Sequence, residues 1–127
     1  MTKIPNVVWP EQKGSYKFVQ VDLDGFPYIR FGGNTNEGDR NYHATILGKF
    51  LIEHNIEYEL MESRNGSKVP APTGQRYAVQ GMGLAIVDFD NKTAFFSGDS
   101  IDYGMYPNKD HLKKISEKEP DWEFSYY

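Results

Sequence analysis

The sequence predicts a single small α+β domain over residues 1–127, in which a mixed β-sheet of about six strands is flanked by two helices. Short stretches with alternating apolar and polar residues recur along the chain, and this pattern is typical of half-buried strands. Two other stretches repeat their apolar residues at helical spacing. A length of 127 residues with 15% aromatic residues suits a packed core rather than a disordered chain. Strands interspersed with two helices favour one mixed sheet covered by helices.

The amino-terminal part contains a predicted β-hairpin. Residues 16–23 alternate, so that one face of a strand carries Lys17, Val19, Val21 and Leu23. Asp24 and Gly25 are typical of a tight turn, and residues 26–31 are the predicted return strand. Pro27 cannot donate a ladder hydrogen bond, so it indicates a sheet edge or pairing that starts after it.

A predicted loop and the first helix follow the hairpin. Residues 32–41 are rich in Gly, Asn and Asp, which indicates a loop. Residues 42–55 predict a helix whose apolar stripe contains Ile46, Leu47, Phe50 and Leu51. Residues 56–61 alternate again and predict a half-buried strand, with Ile56, Tyr58 and Leu60 on one face.

The second half begins with an irregular segment and continues with two strands. Residues 62–75 contain two prolines and an Asn-Gly pair, which predicts a loop. Residues 76–89 form a predicted strand in which Gly81 and Gly83 indicate a bulge or a close backbone contact. After a turn, residues 93–97 are the predicted return strand.

The carboxyl-terminal segment starts with a polar loop over residues 97–104. Asn108 is the predicted N-cap of a helix that carries Leu112 and Ile115 and ends before a proline. Residues 121–127 predict a last strand. Its core-facing residues are Trp122, Phe124 and Tyr126.

Composition and charge exclude several classes of function. A net charge of −4 without a basic stripe gives no sign of a nucleic-acid partner. The absence of a long apolar run and of a signal peptide predicts a cytoplasmic protein with no membrane partner. Without cysteine there is no disulfide, thiolate nucleophile or Cys-ligated metal. The three histidines, His43, His54 and His111, are too scattered for a zinc motif, and the last two are predicted to lie on the surface.

His43 is the most informative single residue. It lies where the predicted first helix begins, among backbone N–H groups that have no helical partner and at the positive end of the helix dipole. This field disfavours the imidazolium form, so the ring stays neutral, as a base or nucleophile requires. The same N–H groups attract anions such as phosphate. One position therefore predicts a catalytic group and a phosphoryl substrate.

Several short motifs follow one another along the chain. They are Ile-Pro-Asn-Val at 4–7, Gly-Ser-Tyr-Lys-Phe-Val at 14–19, Tyr-His-Ala at 42–44, Gly-x-Ser-x-x-Tyr-Gly at 98–104 and Pro-Asp-Trp-Glu at 120–123. In this order and spacing, over most of the chain, they resemble the 14-kDa phosphohistidine phosphatases of the janus/ocnus family.

The resemblance implies a metal-independent phosphatase without a cofactor, which acts as a monomer on phosphohistidine-containing proteins. It implies His43 as the catalytic residue and general base. The phosphate-binding residues that it implies are Lys17, Arg30, Ser100, Ile101 and Asp102, the last three through their backbone. By its chemistry alone, His43 could activate water or accept the phosphoryl group; the resemblance favours the activation of water. Either route needs neutralisation of the phosphoryl charge, which a lysine and a bidentate arginine supply.

The chain departs from the family pattern in the predicted phosphate loop. Asp99 and Asp102 stand where an aromatic and a small neutral residue are usual, and a carboxylate repels phosphate unless it points away. Leu84 stands where the family has an arginine. The cations that could replace it are Arg64, Lys68 and Arg76, and the sequence does not choose among them.

Two other functions stay open. The acidic loop residues motivate a non-catalytic phospho-ligand or protein-binding module on the same fold. The segment 62–80 motivates an interaction protein that uses this segment as its contact surface. The identity of the phosphoprotein, and the choice between phosphohistidine and phospholysine, also remain open.

Overall fold

The computed structural model describes residues 4–35 and 42–126, which contain seven strands and two helices. The strands are β1 (Gly14–Leu23), β2 (Phe26–Asn34), β3 (Leu60–Glu62), β4 (Lys68–Pro70), β5 (Tyr77–Asp88), β6 (Thr93–Ser97) and β7 (Glu123–Tyr126); the helices are α1 (His43–Glu53) and α2 (Lys109–Lys118). The predicted α+β class is confirmed. Neither helix of this described part has the length and apolar character needed to cross a membrane.

Five strands form the main sheet, in the order β2-β1-β5-β6-β7. The first three pairings are antiparallel, whereas β7 runs parallel to β6, so the sheet is mixed as predicted. The strands number seven rather than about six, because the predicted loop over residues 62–75 contains β4. This strand pairs with β3 in a separate two-stranded sheet.

The two faces of the main sheet support two separate cores. Successive side chains of β1 point to opposite faces. Val19, Val21 and Leu23 pack with the apolar stripe of α1, whereas Tyr16 and Phe18 belong to the cluster that contains residues of α2. The apolar residues that the helices contribute are Ile46, Leu47, Phe50 and Leu51 from α1, and Leu112 and Ile115 from α2. The helices therefore cover opposite faces of the sheet.

The prediction of a strand over residues 56–61 is wrong for residues 56–59, because Ile56 belongs to the turn that terminates α1. Asn55 adopts a positive φ of 54°, and the Ile56 N–H group donates to the Leu51 carbonyl at 2.9 Å. This geometry is typical of a helix carboxyl terminus. Ile56 consequently packs in the α1 core, and the strand begins only at Leu60, whose side chain is exposed.

Other boundaries differ by smaller amounts. The predicted loop over residues 32–41 starts later, because β2 continues to Asn34, which pairs with Tyr16 of β1. Residues 36–41 of that loop lie outside the described residues, as does Tyr127 at the end of the last predicted strand. Of the residues predicted to face the core in β7 and just before it, Trp122 and Phe124 pack on the α2-side cluster and Tyr126 is exposed.

The predicted irregularity at the glycines of β5 is confirmed. The register between β1 and β5 shifts where Gln20 pairs with Gly81 and Val21 pairs with Val79. One residue of β5 is therefore extra at this point, as in a β-bulge. The bulge lies beside Gly83, the backbone position that contacts the candidate functional site.

Candidate functional site

His43 is the first residue of α1, and its ring is buried between the helix and the sheet. Its Nε2 atom lies 2.8 Å from the backbone carbonyl oxygen of Gly83 on β5. A carbonyl oxygen only accepts hydrogen bonds, so Nε2 carries the proton and Nδ1 keeps the lone pair. The sheet thereby fixes the ring in the tautomer whose Nδ1 can act as a base.

The surroundings of His43 keep its ring neutral. Burial lowers the pKa of His43, and the nearby Lys17 ammonium lowers it further. The Gly83 carbonyl and the carboxylates of Asp102 and Asp99 act in the opposite direction, but the net pKa stays below the ordinary value of 6.5. These effects favour the neutral imidazole at neutral pH, and their causes are burial and Lys17 rather than the helix dipole from which the sequence argument predicted a neutral ring.

Three residues paired across neighbouring strands bring Lys17 close to the loop that follows β6 and carries Asp99 and Asp102. Lys17 of β1 pairs with Leu84 of β5, which in turn pairs with Ser97 of β6. Ser97 is the last residue before the loop, and Leu84 follows the glycine that holds His43. The Lys17 Nζ atom lies 5.1 Å from the centre of the Tyr42 ring, which precedes His43. Strand register brings together groups from β1, β5 and β6, and the contacts of Tyr42 and His43 place the start of α1 beside them.

The amino terminus of α1 adds backbone donors to this place. Tyr42 makes no side-chain capping bond, and the first turn contains no acidic residue. Within residues 4–35 and 42–126, no acceptor pairs with the N–H groups of His43 and Ala44. These groups lie at the positive end of the helix dipole, where an anion is favoured.

The loop after β6 is a compact turn built around Ser100. The Ser100 N–H group donates to the Met105 carbonyl at 2.8 Å, and the Ser100 carbonyl accepts from Gly104 at 2.7 Å. The Ser100 N–H group is thus occupied, whereas the N–H groups of Ile101 and Asp102 find no acceptor among the described residues. The buried Ser100 hydroxyl also lacks a hydrogen-bond partner there. Among the described residues, the loop therefore has unpaired amides that include those of Ile101 and Asp102, whereas the Ser100 hydroxyl is buried.

Arg64 is the cation that the structure places against this loop. Its backbone N–H group lies 3.4 Å from the Asp102 carbonyl oxygen, and its guanidinium packs directly on Gly104. Arg76 instead forms a salt bridge with Asp24 in the turn between β1 and β2, with 2.6 Å between a guanidinium nitrogen and Oδ2. Of the three candidate cations, Arg64 is the one that contacts residues of the loop within the described part of the chain.

Arg30 has a different set of partners from those of His43. Its guanidinium donates to the backbone carbonyls of Pro5, Asn6 and Ile29 at 2.8–3.1 Å. It also lies 5.1 Å from the centre of the Phe50 ring, about two helical turns along α1 from His43. A cleft of about 350 Å³ between β2 and α1 contains this arginine. Arg30 lies on the predicted second strand, but three backbone carbonyls hold its side chain beside the amino-terminal segment.

The prediction that His111 lies on the surface is wrong. His111 is only 4% exposed, and its Nε2 atom lies 2.8 Å from Oδ1 of Asp22. Its Nδ1 atom lies 2.9 Å from Nε2 of Gln20, a residue that is fully buried in β1. The signal that points to such a pair is the polar Gln20 and Asp22 on the strand face that also carries Tyr16 and Phe18. The other predicted surface histidine, His54, is half-buried against the Phe50 ring.

The carbonyl of Gly83 is the functional group that the sequence did not name. The paired glycines of β5 predicted a close backbone contact but not its partner. Among the described residues, no group of three or more His, Asp or Glu side chains is placed to hold a metal ion.

No protein-family model matches the chain, and no curated protein matches it significantly. The arrangement itself offers a neutral base, a lysine and free backbone donors in one place.

Proposed function

We propose that this protein is a phosphohistidine phosphatase that hydrolyses the P–N bond in phosphohistidine-containing proteins of the cytoplasm. The observation that carries the proposal is the His43 ring, whose Nε2 proton is held by Gly83 and whose Nδ1 lone pair is left for chemistry. Lys17 and the unpaired amides of Ile101 and Asp102 supply the anion-binding groups nearby. Arg30 is left out of the proposed site because its guanidinium is bound to backbone carbonyls.

In the proposed reaction, Lys17 and the free backbone N–H groups hold the phosphoryl oxygens. His43 Nδ1 accepts a proton from a water molecule as the water oxygen forms its bond to phosphorus. The P–N bond breaks, and the imidazole nitrogen of the substrate leaves with the bonding electron pair. The His43 imidazolium then returns its proton to that nitrogen. The products are inorganic phosphate and the unmodified histidine, and the enzyme ends in its initial protonation state.

The carboxylates of Asp99 and Asp102 act on this reaction in two ways. They stabilise the imidazolium that His43 becomes during proton transfer, in keeping with their effect on its pKa. They also repel a phosphoryl dianion, which weakens binding in the ground state. The acidic pair thereby motivates a second candidate function, a non-catalytic module that binds a phospho-ligand or a protein segment at the same place.

Hydrolysis of phosphohistidine tests the proposal. We expect the wild-type protein to release phosphate from a phosphohistidine-labelled protein, and we expect His43→Ala to lose about a hundredfold or more in kcat. The matched control is His54→Ala, which removes the same side chain from the carboxyl-terminal end of α1 and should retain wild-type activity.

The alternative has a different signature. Phosphate that shifts the NMR signals of Lys17 and His43 without any turnover supports the binding module. Equal turnover by wild type and His43→Ala removes His43 from the mechanism. Parallel assays with phospholysine measure the preference between the two phosphoramidates.

A further inference from the structure

A polar network is buried in the α2-side core, away from His43. The Gln20 amide accepts from the Asn108 N–H group at 2.8 Å and donates to the Asn108 carbonyl at 3.1 Å. The same amide nitrogen lies 2.9 Å from His111 Nδ1, and His111 Nε2 lies 2.8 Å from Asp22. Gln20 is fully buried, and an added Cβ at Gly81 would lie only 2.5 Å from its oxygen. The network is therefore closely packed as well as hydrogen-bonded.

This network fixes the carboxyl-terminal end of the longer loop of residues 98–107, which joins β6 to the N-cap of α2 and contains Ser100. Asn108 is the N-cap of α2 and follows the loop directly, so its two bonds to Gln20 tie that end to β1. The Met82 N–H group also donates to the Tyr106 carbonyl at 3.3 Å. The other end of the loop is fixed by the pairing of Ser97 with Leu84. Both ends are thus held on the two strands that also carry Lys17 and Gly83.

We propose that Gln20 and His111 are positioning residues, which hold the loop of residues 98–107 at the distance from Lys17 and His43 that anion binding requires. Asn108 transmits the constraint, because it is bonded to Gln20 through its backbone and to the His111 N–H group through its side chain. The relevance of this loop to catalysis rests on the proposed function. The order of the loop itself does not, and it can be measured without any activity.

Protonation of His111 opposes this arrangement. The Gln20 amide nitrogen is only a donor, so His111 Nδ1 must accept and Nε2–H must donate to Asp22. A second ring proton on Nδ1 faces the Gln20 amide protons. Turning that amide over to relieve the contact breaks both of its bonds to Asn108. The charged groups that act on the ring are Asp22 on β1 and Lys114 on α2.

Amide hydrogen exchange at the loop tests the proposal. The reporters are the N–H groups of Ser100 and Gly104, which close the turn, and the reference is the N–H group of Val19 in β1. We expect His111→Phe to accelerate exchange at the reporters by about tenfold relative to the reference. Leu112→Ala on the same helix is the control, since it weakens the core and should accelerate reporters and reference together. Equal acceleration of both in His111→Phe overturns the proposal.

Gln20→Glu gives a second, opposite signature. A carboxylate at this position accepts from a protonated His111, so acid should order the loop in this variant, whereas acid loosens it in the wild type. Exchange rates are first corrected for their intrinsic pH dependence. Between pH 7.5 and 5, we then expect acid to slow exchange at the loop in Gln20→Glu and to accelerate it in the wild type, because a carboxylate accepts from imidazolium whereas an amide nitrogen only donates. His111→Phe retains His43 but should lose most of this pH effect. The same sign in wild type and Gln20→Glu contradicts the proposal.

Activity separates this proposal from the proposed function. If the wild type hydrolyses phosphohistidine, His111→Phe should raise KM by about fivefold or more with little change in kcat, because the loop binds phosphate and His43 remains in place. A wild type with no turnover overturns the proposed function alone, since the exchange experiment still decides whether Gln20 and His111 position the loop. An active His111→Phe variant with unchanged KM and unchanged loop exchange overturns the positioning role.

Discussion

Replacing Gly83 by alanine should perturb the fold and the candidate site together. A Cβ atom added at Gly83 would lie 2.3 Å from the Ser97 carbonyl oxygen and 3.1 Å from atoms of Phe18 and Pro107. The first distance is far inside van der Waals contact and involves backbone, so β5 and β6 must separate. Overpacking of this kind costs about 1–3 kcal/mol. The Gly83 carbonyl moves with its strand, so the hydrogen bond that fixes the His43 tautomer should weaken as well.

The same change at Gly48 is a matched control with the opposite sign. Gly48 lies inside α1, and an added Cβ would meet only a Pro70 atom at 3.7 Å, an ordinary contact. Alanine in a helix interior is favoured over glycine by about 1 kcal/mol. For 127 residues, an unfolding entropy of about 0.27 kcal/mol/K converts 1 kcal/mol into about 4 °C of Tm. We therefore expect Gly48→Ala to raise Tm by about 4 °C and Gly83→Ala to lower it by about 4–11 °C.

Thermal unfolding by circular dichroism measures both shifts, and the ¹⁵N chemical shifts of the His43 ring report its tautomer. The wild type and Gly48→Ala should show Nε2 protonated, whereas Gly83→Ala should show a mixture of tautomers. Gly83→Ala with an unchanged Tm and an unchanged His43 spectrum would refute both the packing distance and the role of the Gly83 carbonyl.

Three further expectations concern acid stability, charge and the core. Burial lowers the pKa of His43 and of His111, so below about pH 6.5 the unfolded chain binds more protons than the folded protein. The free energy of unfolding should therefore fall as the pH drops below about 6.5. Urea unfolding between pH 8 and 5 measures this free energy, and a rise toward acid pH would contradict the expectation. Lys17→Gln should weaken phosphate binding about tenfold in an NMR titration, while Lys13→Gln, at a surface ion pair, should not; equal affinities would remove Lys17 from the site. Leu112→Ala should cost about 2–5 kcal/mol in urea unfolding, because the side chain is fully buried, and a loss below about 1 kcal/mol would contradict this packing.

Local patterns predicted most of the fold because their causes are local. The turn at Asp24 and Gly25, the N-cap at Asn108 and the alternation along β1 all depend on neighbours in sequence. The alternation over residues 56–61 predicted a strand because Ile56 is apolar at strand spacing. The position of Ile56 is instead set by its hydrogen bond to Leu51 at the carboxyl terminus of α1. The pairing of β3 with β4 is not apparent, because each strand has only three residues and gives little periodicity.

The candidate site was predictable only where local position determines chemistry. His43 at a helix start is such a case, since the dipole and free N–H groups follow from its position alone. The partners of Arg30 and His111 were not predictable, because the groups that bind them come from segments distant in sequence. His111 reaches Asp22 across 89 positions of the chain, so no window of sequence contains both. Choosing Arg64 over Lys68 and Arg76 likewise required the placement of the β3–β4 turn against the loop.

The pH dependence of kcat/KM for phosphohistidine hydrolysis, compared with an NMR titration of His43, tests the central claim most directly. With hydrolysis in enzyme-free solution subtracted, we expect the rate to be constant near neutral pH and to fall tenfold per pH unit below one pKa. That pKa should lie below 6.5 because burial lowers it, and it should equal the value titrated at the His43 ring. A rate that stays constant well below the titrated pKa of His43, or that rises as the ring becomes protonated, would contradict the role of His43 as the general base.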